Sequence, residues 1–181
     1  RLTQYLDLLN RWNGKFNLTA VKDREEQVSK HLLDSLTVAS FLEGSELLDV
    51  GTGAGLPGIP LAVLFPSVNV LLLDSNSKKT RFLTEVKAQL KLDNVQVLQA
   101  RVEAFRDRRF KQVICRAFTP LSELLPKVAH LIEQRGRLLA MLGQSPEHPE
   151  PDQLGASACV LHSLNVPQLK ESRHLMVVSL N

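Results

Sequence analysis

The chain has 181 residues, 44% of them hydrophobic, with a formal net charge of +3, which suits one sizeable core and is short for two domains. No apolar run approaches the roughly 20 residues that cross a bilayer and no signal-peptide pattern is present, so a cytoplasmic protein is expected. Cys115 and Cys159 lack the spacing of a zinc site or a disulfide framework, so no metal is expected and both read as small buried residues.

Residues 1–42 read as helical. Leu2, Tyr5, Leu6, Leu9 and Trp12 recur at helical spacing until Asn13-Gly14 breaks the pattern. Asp23 followed by Glu26 predicts the start of a second helix, whose apolar stripe is Val28, Leu32, Leu36 and Ala39. Gly44 closes this segment, so residues 1–44 are expected to form an N-terminal helical cap on a unit spanning 45–181. Asn17-Leu18-Thr19 matches a glycosylation sequon that a cytoplasmic chain has no use for.

From Glu46 the texture changes to short apolar runs alternating with helical segments, as in an α/β sheet covered on both faces. Strands are predicted over 46–50, 69–74, 95–100, 111–117 and 136–142, with helices over about 58–65, 77–91 and 120–132. A loop follows over 143–155. Cys159 to Val166 and His174 to Leu180 then read as two strands whose connection is too short for a crossover helix, which makes that pair antiparallel.

The most informative stretch is LLDVGTGAGLPGIPLA, residues 47–62. A strand ending in an acid, followed by glycines and a short helix, is how bare backbone meets a ligand at a strand's carboxyl end. Two registers overlap: Gly53, Gly55 and Gly58 fit GxGxxG, the dinucleotide fingerprint, whereas Asp49, Gly51, Gly53 and Gly55 fit the D-x-G-x-G-x-G of S-adenosylmethionine methyltransferases. A pyrophosphate is poorly served beside a negative charge, while the ammonium of a methionine moiety is well served by Asp49. Pro57 and Pro60 also remove two N–H donors from the loop and first turn. Asp74 ends the next strand, where a carboxylate can accept from both ribose hydroxyls.

Asn76 to Arg116 holds eleven Lys/Arg against four Asp/Glu. Composition alone leaves two readings, a polyanionic partner such as RNA or a solvated helix face with a basic loop. Arg106, Arg108, Arg109 and Lys111 cluster in that loop and read either as phosphate contacts, which is preferred, or as a solvated turn.

The segments NLTAV (17–21), HLLDSL (31–36), LLDVGTGAGLPGIPLA (47–62), LLDSNSKKTRFL (72–83), RVEAF (101–105), CRAF (115–118) and RHLMVV (173–178) closely resemble the bacterial glucose-inhibited division protein B family. The resemblance covers essentially the whole chain. It implies a class I, Rossmann-like S-adenosylmethionine-dependent methyltransferase with a seven-stranded, mostly parallel sheet and an antiparallel last strand. The implied activity is methylation of N7 of a guanine in 16S ribosomal RNA, in the 530 loop, by a monomer acting on the RNA, the small subunit or its precursor.

Carried over residue by residue, the resemblance puts Gly51 and Leu56 in the cofactor loop and makes Asp74 the ribose acid. It places Val102 and Glu103 at the adenine, and Arg116 beside the methionine end and the transferred methyl. Arg101 and Arg173 match two further arginines around the RNA and the active site. The chain departs from the family at Leu142, where lysine is common.

Guanine N7 presents an in-plane lone pair and needs no general base, in keeping with the absence of an obvious acid-base dyad. CRAF stands where amino-nitrogen methyltransferases carry a [DNS]-PP-[YFW] motif. A pyrimidine C5 reaction would need Cys115 as a thiolate, although its apolar strand favours a structural cysteine. His31 and Asp34 share one helical face and read either as cleft residues or as capping and core. Phe118 reads either as a stacking partner for the base or as core. The rival readings are methylation of another RNA or a small molecule, a non-enzymatic cofactor-sensing RNA-binding module, and an NAD oxidoreductase.

Overall fold

The strands are β1 (Glu46–Val50), β2 (Asn69–Asp74), β3 (Val95–Gln99), β4 (Phe110–Arg116), β5 (Ile132–Leu142), β6 (Ala158–Leu164) and β7 (Arg173–Ser179). In the computed structural model, which describes residues 1–116, 121–143 and 155–181, they form one sheet in the order β3-β2-β1-β4-β5-β7-β6. The pairs among β1 to β5 are parallel, and β7 runs antiparallel between β5 and β6. This is the expected seven-stranded sheet with its last strand reversed.

The alternation of strand side chains divides the core in two. Leu47, Leu72, Ile114 and Leu139 face one cluster, and their neighbours Leu48, Leu71, Val113 and Leu138 face the other. Because both faces are covered, the strands read as continuous apolar runs rather than as alternating ones. Helices α4 (Gly58–Leu64) and α5 (Ser77–Leu90) pack on the first face and α6 (Leu121–Val128) on the second.

The N-terminal helical segment belongs to the first cluster. Tyr5, Leu6, Leu9, Leu32 and Val38 are buried with sheet residues in one continuous core. Near the amino ends of the strands, Gln112 donates to Phe41 O (2.9 Å), and Arg137 pairs with Glu43 at 3.0 Å.

Helix α1 (Leu2–Phe16) runs through Asn13-Gly14, past the expected break. Asn13 is buried, its side-chain oxygen accepts the Thr19 N–H at 2.8 Å, and the helix stops at Asn17 with φ 50°, a conformation asparagine tolerates. Asp23 caps α2 (Arg24–Gln27) as expected, accepting the Glu26 N–H at 2.9 Å. The helix then continues through a π-helical turn, Val28–Leu33, into α3 (Asp34–Leu36), which periodicity did not foretell.

Two other boundaries move. Strand β5 starts at Ile132 rather than 136, across a register shift opposite Phe110/Gln112, where a Cβ on Gly136 would lie 2.8 Å from Ile132. Helix α6 ends at Val128, two residues past Pro126, and a 3-10 turn leads into β5. Phe118 and most of the expected 143–155 loop lie outside the described residues.

Candidate active site

The carboxyl ends of the parallel strands form a rim with two cavities. The first, about 380 Å³, lies over β1, β2 and β3 and is lined by Gly51, Asp74, Lys79, Arg101, Val102 and Glu103 among others. The second, about 300 Å³, lies over β4, β5 and β7 and is lined by Lys30, His31, Asp34, Arg116, Leu142, Arg173 and His174 among others.

The first cavity is built largely from backbone. Gly51, Gly53 and Gly55 have φ of 64°, 61° and 93°, and at Gly55 a Cβ would sit 2.5 Å from Ile59 Cγ1. Asp74, 7% exposed, accepts the Asn76 N–H on Oδ1 and the Gly53 N–H on Oδ2, at 2.8 and 2.9 Å. Lys79 Nζ stands 3.7 Å from the same Oδ2. These contacts fix the carboxylate, and a carboxylate with about four acceptor positions keeps lone pairs for a diol. A held acid in the lining, with Val102 and Glu103 of the turn after the neighbouring strand, fits the ribose and adenine of S-adenosylmethionine.

Asp49 lies behind this loop. Its side chain is fully buried on the α4 side of β1, where Oδ2 accepts from Thr52 Oγ1 (2.6 Å) and from Gly58 N–H (2.8 Å). Burial pushes its carboxyl up to about 7, against the two hydrogen bonds that favour the ionised form. Strand alternation puts the side chain on the buried α4 side of β1, where Oδ2 braces the loop while Oδ1 has no hydrogen-bond partner. The same bond occupies the first N–H of α4, which a pyrophosphate would need. Gly58 permits this approach, since a Cβ there would lie 2.6 Å from Asp49 Oδ2. Leu56 packs its side chain in the core, and its N–H is bonded to Thr52 O at 3.0 Å. Tyr5 holds the loop from outside, donating to Ala54 O at 2.8 Å.

The second cavity is built from side chains that come from distant parts of the chain. Arg116, at the end of β4, donates to Lys30 O (3.2 Å) and stands 3.7 Å from Asp34 Oδ2. Arg173, at the start of β7, has its Nε 3.6 Å from Asp34 Oδ1. Lys30 joins Glu26 and the Glu171 of the β6–β7 connection at 3.2 and 3.6 Å, which ties the cap to that hairpin. His31 is buried, shares a hydrogen bond of 2.9 Å with Thr19 Oγ1, and is held neutral near pH 7 because burial lowers its pKa to about 4. Leu142 lies opposite His174 in the β5–β7 register.

The predicted arginines thus separate. Arg116 and Arg173 meet in the second cavity, and Arg101 lines the first. Arg106, Arg108 and Arg109 lie elsewhere. Arg108 pairs with Glu46 at 3.2 Å, reaches Gln96, and stacks over Phe110 at 4.6 Å. All three partners belong to the amino ends of parallel strands, opposite the rim. These contacts set Arg108 at the amino ends of the strands, because the loop feeds the start of β4 and not its end.

Cys115 is buried and burial pushes its thiol up, which disfavours a nucleophilic thiolate. Cys159, expected to be buried, is only partly so. Among the described residues no cluster of three potential metal ligands occurs and no helix is long and apolar enough to cross a membrane. Sequence reasoning left out Lys79, legible in principle from SNSKK one turn after the ribose acid, and left Asp34 undecided.

The family model described as "GidB: rRNA small subunit methyltransferase G" matches residues 1–176. A relative from Nitrosococcus oceani named ribosomal RNA small subunit methyltransferase G is 48% identical, over 97% of this chain and 83% of its own length. One of the same name from Pseudomonas fluorescens is also 48% identical, over 98% and 84%. Among solved structures, a SAM-dependent methyltransferase from Aquifex aeolicus has TM-score 0.66 at 16% identity, covering 91% of this chain and 97% of that one. TYW2 of M. jannaschii with AdoMet has TM-score 0.65 at 15% identity, covering 88% and 78%. The structural matches show the fold, and the sequence matches, which run from the first helix to the last strand, show that this chain belongs to the rRNA small subunit methyltransferase G family.

Proposed function

We propose that this protein transfers a methyl group from S-adenosylmethionine to N7 of a guanine in the 530 loop of 16S ribosomal RNA, acting in the cytoplasm as a monomer. The observation that carries this reading is the presence of the two cavities on one rim in a chain of this family. A diol-accepting acid lies in one and a pair of arginines in the other, with Gly51 and Arg116 at the tips of neighbouring strands. When bound, S-adenosylmethionine supplies an electrophilic methyl on a sulfonium. Asp74 holds the ribose, and Val102 and Glu103 take the adenine. Gly51 and Gly53 let the backbone approach, with Asp49, Gly55 and Leu56 keeping the loop in shape from behind.

Arg116, the catalytic residue in this reading, lines the second cavity at the tip of the strand beside β1 and orients the incoming nucleotide toward the methyl. Arg173 grips the RNA on the far side of β5, and Arg101 does so beside the cofactor end. No side chain has to remove a proton, because N7 attacks with its own lone pair. His31, neutral and bonded to Thr19, lines the wall without supplying acid or base.

Isotope-labelled methyl transfer into naked 16S RNA and into small subunits, followed by nucleoside mass spectrometry, tests the reading. The expected product is 7-methylguanosine at one position. Label in another nucleoside, or none in either substrate, overturns it.

A further inference from the structure

Arg116 and Arg173 sit on β4 and β7, which are not neighbours, since β5 lies between them. Across two strand spacings their backbones are roughly 10 Å apart, so the sheet alone does not set where the two guanidiniums meet. What meets both is Asp34, from the N-terminal segment, with Oδ2 3.7 Å from Arg116 Nη1 and Oδ1 3.6 Å from Arg173 Nε. Asp34 is 3% exposed, and its Oδ1 has no hydrogen-bond partner although it is buried. An unbridged carboxylate at such a depth is costly, and so are two unpaired arginines beside it.

The backbone around Asp34 is shaped for the same task. In an α-helix the Asp34 N–H would reach Lys30 O. In this π-turn it goes to His31 O and Ser29 O instead, and Lys30 O accepts from Arg116 Nη1 at 3.2 Å. One helical turn therefore presents Arg116 with both a displaced carbonyl and a carboxylate. π-Turns of this kind recur at functional sites.

We propose that Asp34 is a positioning residue for the reaction: it registers Arg116 and Arg173 across β5 and offsets part of their charge where the target guanine is held. The inference rests on the methyl-transfer reading. Methylation at a ring nitrogen leaves the base cationic, so two uncompensated guanidiniums at that point oppose the reaction even as they attract the RNA. Asp34 resolves this conflict by leaving the pair with one net positive charge and a fixed spacing. A carboxylate serving only the stability of the fold would affect all readouts together.

Asp34→Asn keeps the shape and removes the charge. Its expected signature is single-turnover methyl transfer at saturating RNA slowed by about 10- to 100-fold, as for misplaced catalytic groups, with S-adenosylhomocysteine affinity within about twofold of wild type by calorimetry. RNA binding is expected to hold or tighten, with a salt dependence steeper by roughly one power of salt concentration per arginine newly available to phosphate. Asp34→Glu, which keeps the charge, should recover part of the lost rate. Wild-type turnover in Asp34→Asn overturns the proposal, as do parallel losses in cofactor affinity, RNA affinity and rate.

If Asp34→Asn does not fold, Asp34→Glu carries the test alongside Arg173→Gln. The double variant should lose no more rate than the worse single one, and additive losses overturn the proposal. A wild-type protein that labels no RNA defeats the methyl-transfer reading instead. In that case the salt dependence of RNA binding still reports whether Asp34 restrains the two arginines.

Discussion

The two halves of the rim are held by different kinds of contact. Over β1 and β2 the first cavity rests on short bonds from backbone N–H groups within a few dozen residues, such as Gly53 N–H and Asn76 N–H to Asp74 and Gly58 N–H to Asp49. Over β4, β5 and β7 the second cavity rests on ion pairs of 3.6 to 3.7 Å between residue 34 and residues 116 and 173. A rigid half suits a cofactor that is the same in every turnover. A half made of long side chains from separate elements suits an RNA that must enter and leave, because such pairs can exchange partners with phosphate at little cost.

If the halves are separable, Arg116→Ala should slow single-turnover methyl transfer by about 100-fold or more, by analogy with loss of one preorganised group. Its S-adenosylhomocysteine affinity, read by calorimetry, should fall less than about tenfold. Equal losses in both would break the distinction. Asp74→Ala is the converse: losing two hydrogen bonds to a charged group at about 1.5 to 3 kcal/mol each predicts cofactor binding weakened by roughly 100-fold or more. RNA binding in a filter assay should not change.

The pH dependence sharpens the picture of Asp49. With its carboxyl raised from 3.8 to about 7 in the fold, the native chain binds more protons than the unfolded chain between those values. Stability contributed by this group is present below that window and falls as pH rises through it, by up to about 1.4 kcal/mol per pH unit. Asp49→Asn, compared with wild type by urea unfolding at a series of pH values, should therefore gain relative stability from about pH 4 to pH 7. A difference independent of pH would mean that Asp49 is ionised in the fold.

Tyr5→Phe removes the hydroxyl that donates to Ala54 O. It should cost about 1 kcal/mol in urea unfolding and weaken cofactor binding a few-fold, since the first helix is then no longer tied to the glycine loop. Arg108→Gln is the smallest change. It should cost under about 1 kcal/mol, as for other exposed ion pairs, and leave methyl transfer and RNA affinity intact. A several-fold loss of RNA affinity would place RNA on the amino edge of the sheet as well and extend the contact beyond the rim.

The first strands and the glycine loop were legible because their causes are local. Apolar runs, the spacing of Asp49 to Gly55 and the reappearance of an acid at Asp74 all lie within one βαβ unit. The loop's inner workings were less legible: Asp49 is recognisable as the motif acid, yet its direction depends on strand alternation. The place of Arg108 was not legible, because charge density carries no information about which end of a strand a loop feeds. The π-turn had no signal in HLLDSL, since periodicity registers a helix and not a single displaced hydrogen bond.

By itself, then, the sequence determined a Rossmann-like sheet, a cofactor loop suited to a sulfonium rather than a pyrophosphate, and a family whose matching residues run from end to end. Only the tertiary structure decided which acids face the cleft and which brace it, and that Asp34 joins Arg116 to Arg173. The physical reason is range. Backbone geometry and hydrophobic period are written within a turn or a strand, whereas an ion pair between the first helical segment and the last strand exists only once the sheet has brought their ends together.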